Sequence, residues 1–176
     1  CPWPGQGFYF NKAVSSEADT QGVKFRSYNS ATATFAKELG MIPVQVEAAE
    51  LSQALATGVA ESFISSGSTG YDRKVWEHLS HYYKVNAWHP RNYVMVNKGI
   101  WDNLDGGTKA AIQKAADETG AACAAKSAEL ANWYFEQLQA NGMKVEDASP
   151  AFLKKLKEIG KIMQADWLKS AGPDGQ

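Results

Sequence analysis

Cysteine, histidine and net charge are all scarce in this 176-residue sequence, and each scarcity excludes something. With 18 Lys and Arg against 19 Asp and Glu, the formal charge is -1, too little to hold nucleic acid or an anionic membrane surface. No apolar run approaches the ~18 residues that a membrane-spanning helix needs. The chain starts Cys1-Pro2-Trp3-Pro4, without a basic and then apolar leader. That start suits a cytosolic protein and a processed or truncated chain equally well.

The two cysteines, Cys1 and Cys123, stand at the terminus and inside an Ala-rich stretch. Their spacing supports no metal site. It leaves a disulfide between them open and favours two unrelated thiols. Of the three histidines, His78 and His81 are three apart, but the motif His-Glu-x-x-His is absent and no third ligand is in view. Two half-exposed histidines beside Trp76 and Tyr82 are the better reading. No metal, cofactor or catalytic residue is expected.

What is present is an alternation of short strands and helices. Val23 to Arg26 alternates apolar and charged residues, as a half-buried strand does. Ser30 to Leu39 carries Phe35 and Leu39 at i,i+4, with Gly40 placed for a left-handed cap. A strand at Val44–Val46, a helix from Ala48 to Thr57 stopped by Gly58, and a strand from Val59 to Ser65 follow. This β-α-β-α-β order predicts an α/β fold with a parallel-rich sheet flanked by helices. Ser66 to Gly70 reads as a polar loop before a helix through Tyr71 to Leu79, and Tyr82–Asn86 and Tyr93–Val96 have strand character. From Thr108 to Asn141 there is no proline, and Ala, Lys, Glu and Gln dominate. A helix of that length spans on the order of 50 Å, enough to bridge two lobes. Ser149-Pro150 opens a last helix to about Lys169.

The strongest candidate site is Lys24 to Asn29. In parallel sheets ligands sit beyond the carboxyl ends of strands, where Arg26 and Ser65 both fall. A guanidinium there can grip a carboxylate through two parallel hydrogen bonds, next to a helix N-terminus that Asn29 caps. A surface ion pair is the plain alternative for Arg26. Trp88, in a loop before Pro90, is the best placed of six tryptophans to wall a ligand, with core packing as its alternative. Ser66-Gly67-Ser68-Thr69-Gly70 approximates the nucleophile elbow Gly-x-Ser-x-Gly, but Ser66 replaces the first glycine. A pocket-lining polar loop is the better reading. A small α/β serine hydrolase using Ser68 is the competing function, and a purely structural helical module is a third.

Several segments taken together resemble the solute-binding proteins of TRAP transporters, DctP type. They are Gly22–Arg26, Leu39-Gly40 with Pro43-Val44, Glu50–Val59, Ser66–Asp72, Ala87–Asn92 and Val96–Lys98. The resemblance starts at about Pro2 and runs to the long helix and beyond. It implies the second lobe of a type II periplasmic binding protein: a second-lobe core over 1–90, a remnant of the first lobe over 91–130, and helices returning to the second lobe over 131–176. It implies that the chain is a truncated fragment whose uncovered first-lobe surface invites homo-oligomerisation or a domain swap. It implies a periplasmic binding protein, not an enzyme, that delivers a small organic acid to TRAP membrane subunits, with no nucleic acid partner. By the same resemblance Arg26 grips the substrate carboxylate, Asn29, Ser65 and Ser66 supply hydrogen bonds, and Trp88 supplies an apolar wall. Ile64, Ser65 and Ser66 stand where many members carry Glu-Asn-Pro, and Ala48 stands where sialic-acid binders carry phenylalanine, which argues against sialic acid as the ligand.

Overall fold

The computed structural model describes residues 1 and 3–175; Pro2, where the resemblance begins, and Gln176 lie outside the described residues. A six-stranded mixed sheet organises the chain. Its strands are β1 (Gln6–Phe10), β2 (Lys24–Ser27), β3 (Ile42–Gln45), β4 (Ser62–Ser65), β5 (His81–Trp88) and β6 (Lys144–Asp147), in the order β3-β2-β4-β1-β5-β6. β2 runs parallel to β3 and β4, and β5 parallel to β6, whereas β1 is antiparallel to both β4 and β5. The expected β-α-β-α-β unit is therefore the β3-β2-β4 half of the sheet.

The helices are α1 (Ser30–Glu38), α2 (Leu51–Ala56), α3 (Gly67–Asp72), α4 (Lys98–Asp102), α5 (Gly106–Ala140) and α6 (Pro150–Ala171). Strand periodicity sorts the core into two layers. Phe8, Phe10, Phe25, Ile64 and Tyr83 face one side, where they pack with Phe35 of α1 and Phe152, Leu156 and Ile159 of α6. Tyr9, Phe63 and Tyr82, one residue out of phase, face the other side with Leu51 and Leu55 of α2 and Leu138 of α5. Each fully buried aromatic removes enough apolar surface from water to contribute about 1.5–3 kcal/mol.

Four sequence expectations change. β1 and β6 carry no predicted element. Ser66 stands at the N-cap of α3 and Gly67–Gly70 forms its start, where a loop was expected, and the helix expected through Leu79 ends at Asp72. The glycines explain this: a Cβ on Gly67 would stand 3.0 Å from the Tyr134 Cβ of α5, and one on Gly70 would overlap the Tyr9 hydroxyl. These small residues let α3 pack tightly. Tyr93–Val96 joins no strand ladder and lies exposed, Val94 completely. Finally, Cys1 and Cys123 are not unrelated thiols but a disulfide closing a sequence separation of 122 residues. Tertiary packing brings them together, which no sequence spacing reveals. Closing so long a loop is worth about 4–5 kcal/mol in the chain-entropy account.

Candidate functional site

The end of the sheet where β2 and β4 finish opens into a cleft of about 530 Å³ lined by Gln6, Arg26, Tyr28, Ser65 and Thr69, with Glu47, Ala48 and Arg73 among its other walls. Arg26 forms its floor. Although charged, it is only 5% exposed. Its Nε donates to the Val46 carbonyl at 2.8 Å, and its guanidinium carbon sits 5.1 Å from the centre of the Tyr28 ring. No carboxylate among the described residues lies within ion-pair distance of it. Burial holds its pKa below the ordinary arginine value, opposed by Tyr28 and Glu47.

Those contacts limit which of its groups Arg26 can offer. The Nε–H is engaged by the protein, which fixes the plane of the guanidinium. The two terminal nitrogens remain for a ligand, side by side, at the spacing of a carboxylate's two oxygens. A buried cation without a charged protein partner is costly, so an anion from outside stabilises it strongly.

Ser65 stands beside this floor, 7% exposed, and its hydroxyl donates to Thr69 Oγ1 at 2.8 Å. It keeps lone pairs to accept from a ligand N–H or hydroxyl. Tyr28 donates its hydroxyl to Gln6 Oε1 at 3.1 Å, which leaves the Gln6 amide its N–H groups and one oxygen lone pair. Burial raises the Tyr28 pKa, so the phenol stays protonated and keeps donating.

The structure brings Arg26 and Ser65 together and places Ser66 one cavity away. Ser66 lines an adjoining space of about 190 Å³ with Trp3, Gln6, Tyr28 and Thr69. Asn29 is at the N-cap of α1, with its Oδ1 accepting from the Thr32 N–H at 2.8 Å, and it does not line the cleft. Trp88 lies elsewhere: it packs on Phe35 and lines a groove against α6 with Leu153, Met163 and Trp167. Core-side packing, the plain alternative for this residue, describes its position. Ser68 pairs with the Ser66 hydroxyl at 2.8 Å, while His81 Nδ1 pairs with Ser80. No histidine among the described residues is bonded to Ser68, so it lacks the base that activates a serine. Gln6 escaped the sequence reading, whereas Tyr28 and Thr69 fell inside its Lys24–Asn29 and Ser66–Gly70 segments without a role of their own. Tyr28 carried a signal, its position two residues after Arg26; Gln6 carried none, because β1 itself was not predicted.

The model of the DctP family, described as bacterial extracellular solute-binding protein, family 7, matches residues 6–170. None of the curated proteins matches the chain. Among solved structures, the chain is similar to a marine metagenome TRAP solute-binding protein from an unidentified microbe, specific for pyroglutamate, at 83% identity and a TM-score of 0.97. It is also similar to DctP6 of Bordetella pertussis, an extracytoplasmic solute receptor binding pyroglutamic acid, at 43% identity and 0.97. DctP7 of the same organism, again a receptor binding pyroglutamic acid, stands at 34% and 0.96. The matches cover 100%, 100% and 99% of this chain and 58% of each relative, so the chain spans less than two thirds of their length.

Proposed function

The chain belongs to family 7 of the bacterial extracellular solute-binding proteins, the DctP family, and from that premise we propose that it binds pyroglutamate for uptake by a TRAP transporter. The observation that carries the reading is Arg26: a cation 5% exposed that lines the cleft, bonded to the protein through its Nε and without a carboxylate at ion-pair distance among the described residues. A small acid with one carboxylate matches that floor. Pyroglutamate adds a lactam ring whose carbonyl accepts and whose N–H donates. The Gln6 amide N–H groups suit the carbonyl, and the Ser65 hydroxyl oxygen suits the N–H. Three relatives at 83%, 43% and 34% identity are described as binding this acid, which supports the choice over succinate or an aromatic acid.

In this reading the chain works in the periplasm, where a disulfide persists, and hands its ligand to TRAP membrane subunits. The segment 91–130 belongs to a first lobe, with 1–90 and 131–176 forming the second. Tyr93, Val94, Met95, Val96 and Ile100, between 49% and 100% exposed, support this division because an apolar stretch this open calls for a cover. A second copy of the chain, exchanged or paired, is the other cover. Light scattering that finds a concentration-independent monomer removes that option.

Calorimetric titration of pyroglutamate into a protein of the relatives' full length tests the ligand. Saturable binding is expected, with succinate and an aromatic acid at least tenfold weaker. Equal affinity for all three would leave only a general carboxylate site.

A further inference from the structure

We propose that Trp3 is a wall of the ligand site and that the Cys1–Cys123 disulfide is the device that holds it there. The inference rests on the pyroglutamate reading and assigns this binding site an aromatic wall in place of Trp88.

Trp3 borders both a cavity beside the Arg26 cleft and the cavity beside the disulfide. One is the 190 Å³ space it shares with Gln6, Tyr28, Ser66 and Thr69. Three of these four, Gln6, Tyr28 and Thr69, also line the Arg26 cleft, so the two spaces have walls in common. The other is a cavity of about 520 Å³ next to the disulfide, bounded by Cys1, Cys123, Leu130 and Tyr134. The indole thus stands between the ligand side and the disulfide side, at 39% exposure.

Backbone hydrogen bonds tie the residues around Trp3 to the segment that follows β5. The Trp3 N–H donates to the Pro90 carbonyl at 3.0 Å, and the Asn92 N–H donates to the Cys1 carbonyl at 3.0 Å. The Cys1 amino group also donates to the Asn92 carbonyl at 3.0 Å. All these bonds join only short extended segments, a pairing that is marginal in water by itself, and residues 93–96, which continue the second segment, are exposed. The disulfide supplies a separate anchor. Cys123 lies in α5, and α5 is pressed against α3 at Tyr134 and Gly67, a contact so close that a Cβ there would stand 3.0 Å away. α3 in turn carries Thr69 and follows Ser66. The helix that anchors Trp3 is therefore the one packed on the element that supplies polar groups to the site. Wall and polar groups share one frame.

Chemically, a charged floor and a flat aromatic wall select a planar ring acid over a flexible chain acid. The floor fixes the carboxylate and the indole covers the ring face.

Pyroglutamate titration of the full-length protein, with wild type, Trp3→Ala, Trp3→Phe, the double variant Cys1→Ser/Cys123→Ser and Arg26→Ala, tests the proposal. Amide hydrogen exchange is recorded for each. Trp3→Ala is expected to bind roughly tenfold more weakly and Trp3→Phe close to wild type. The double serine variant should lose affinity to a similar extent, with faster exchange at Trp3 and Asn92 and unchanged protection in β1 and β4, which shows that the core is folded. If Trp3→Ala and the double variant bind like wild type while Arg26→Ala does not bind, the proposal is overturned and the pyroglutamate reading stands. If wild type itself fails to bind pyroglutamate, that reading fails, and the proposed wall falls with it as a ligand contact. Unchanged exchange at Trp3 and Asn92 in the double variant overturns the clamp whatever binds.

Discussion

Two openings in this molecule have nearly the same size and opposite character. The Arg26 cleft, about 530 Å³, is floored by a buried cation and edged by Gln6, Tyr28, Ser65 and Thr69. The Trp88 groove, about 600 Å³, is walled by Phe35, Leu153, Met163, Trp167 and Trp88 itself. Volume and aromatic content favour the groove as a ligand site. Unfinished hydrogen bonding favours the cleft, because burying a guanidinium without an acid costs free energy that a ligand carboxylate returns. The groove holds apolar side chains that need nothing further. What distinguishes the cleft is a buried cation that has a backbone partner in Val46 and no carboxylate at ion-pair distance among the described residues.

The largest effect that tests this contrast is on affinity. Arg26→Ala should weaken acid binding by about 2–5 kcal/mol, on the order of thirty- to several-thousand-fold, read by calorimetry on full-length protein. Arg26→Ala with unchanged affinity would put the site elsewhere. Trp88→Ala should do the reverse: a loss of about 2 kcal/mol in stability by denaturant unfolding, from the contact with Phe35, and affinity within twofold of wild type. A tenfold affinity loss there would restore the wall role that the sequence assigned to it.

Smaller effects sharpen the boundary of the cleft. Ser65→Ala removes an acceptor and strands Thr69 Oγ1, so affinity should fall about fivefold, roughly 1 kcal/mol. Asn29→Ala should cost about 1 kcal/mol of stability through the lost α1 cap while affinity changes less than twofold; a larger affinity change would make Asn29 a ligand contact after all.

The smallest effect belongs to the side of the groove. Hydrogen bonds from Ser15 and Ser16 hold the Asp19 carboxylate below its usual pKa, and the Ser149 hydroxyl at the start of α6 donates to the Ser15 carbonyl of the same turn. Because the folded form is depressed, its stabilisation is present above the unfolded carboxylate range near ~3.9 and is lost as pH falls through the lower folded value. Asp19→Asn should therefore flatten stability below about pH 4 and leave ligand affinity at neutral pH unchanged.

Much of the β2-α1-β3-α2-β4 unit was legible from residues because its signals are local. Val23 to Arg26 alternates, Phe35 and Leu39 share a helix face, and Gly40 and Gly58 do adopt the left-handed backbone that ends helices. Arg26 was legible for the same reason: a strand end facing a helix start is a sequence-readable position. β1 was not. Its five residues are all buried, since β4 and β5 flank it and both faces are covered, so it has no alternation to read. With β1 went Gln6, and with Gln6 the Tyr28 contact. Ser66–Gly70 misled because glycine is a turn signal in sequence, whereas here it clears room for Tyr9 and Tyr134.

The sequence by itself determined that an arginine would stand at the carboxyl end of a parallel strand, and that an α/β chain with a long helix would carry it. Periodicity and capping act over a few residues, so they survive without a fold. Only the tertiary structure decided that Arg26 is buried and paired with no acid, that Trp88 faces α6 and not the cleft, and that Cys1 meets Cys123. Each depends on segments far apart in the chain arriving at one place, and that arrival is a property of packing.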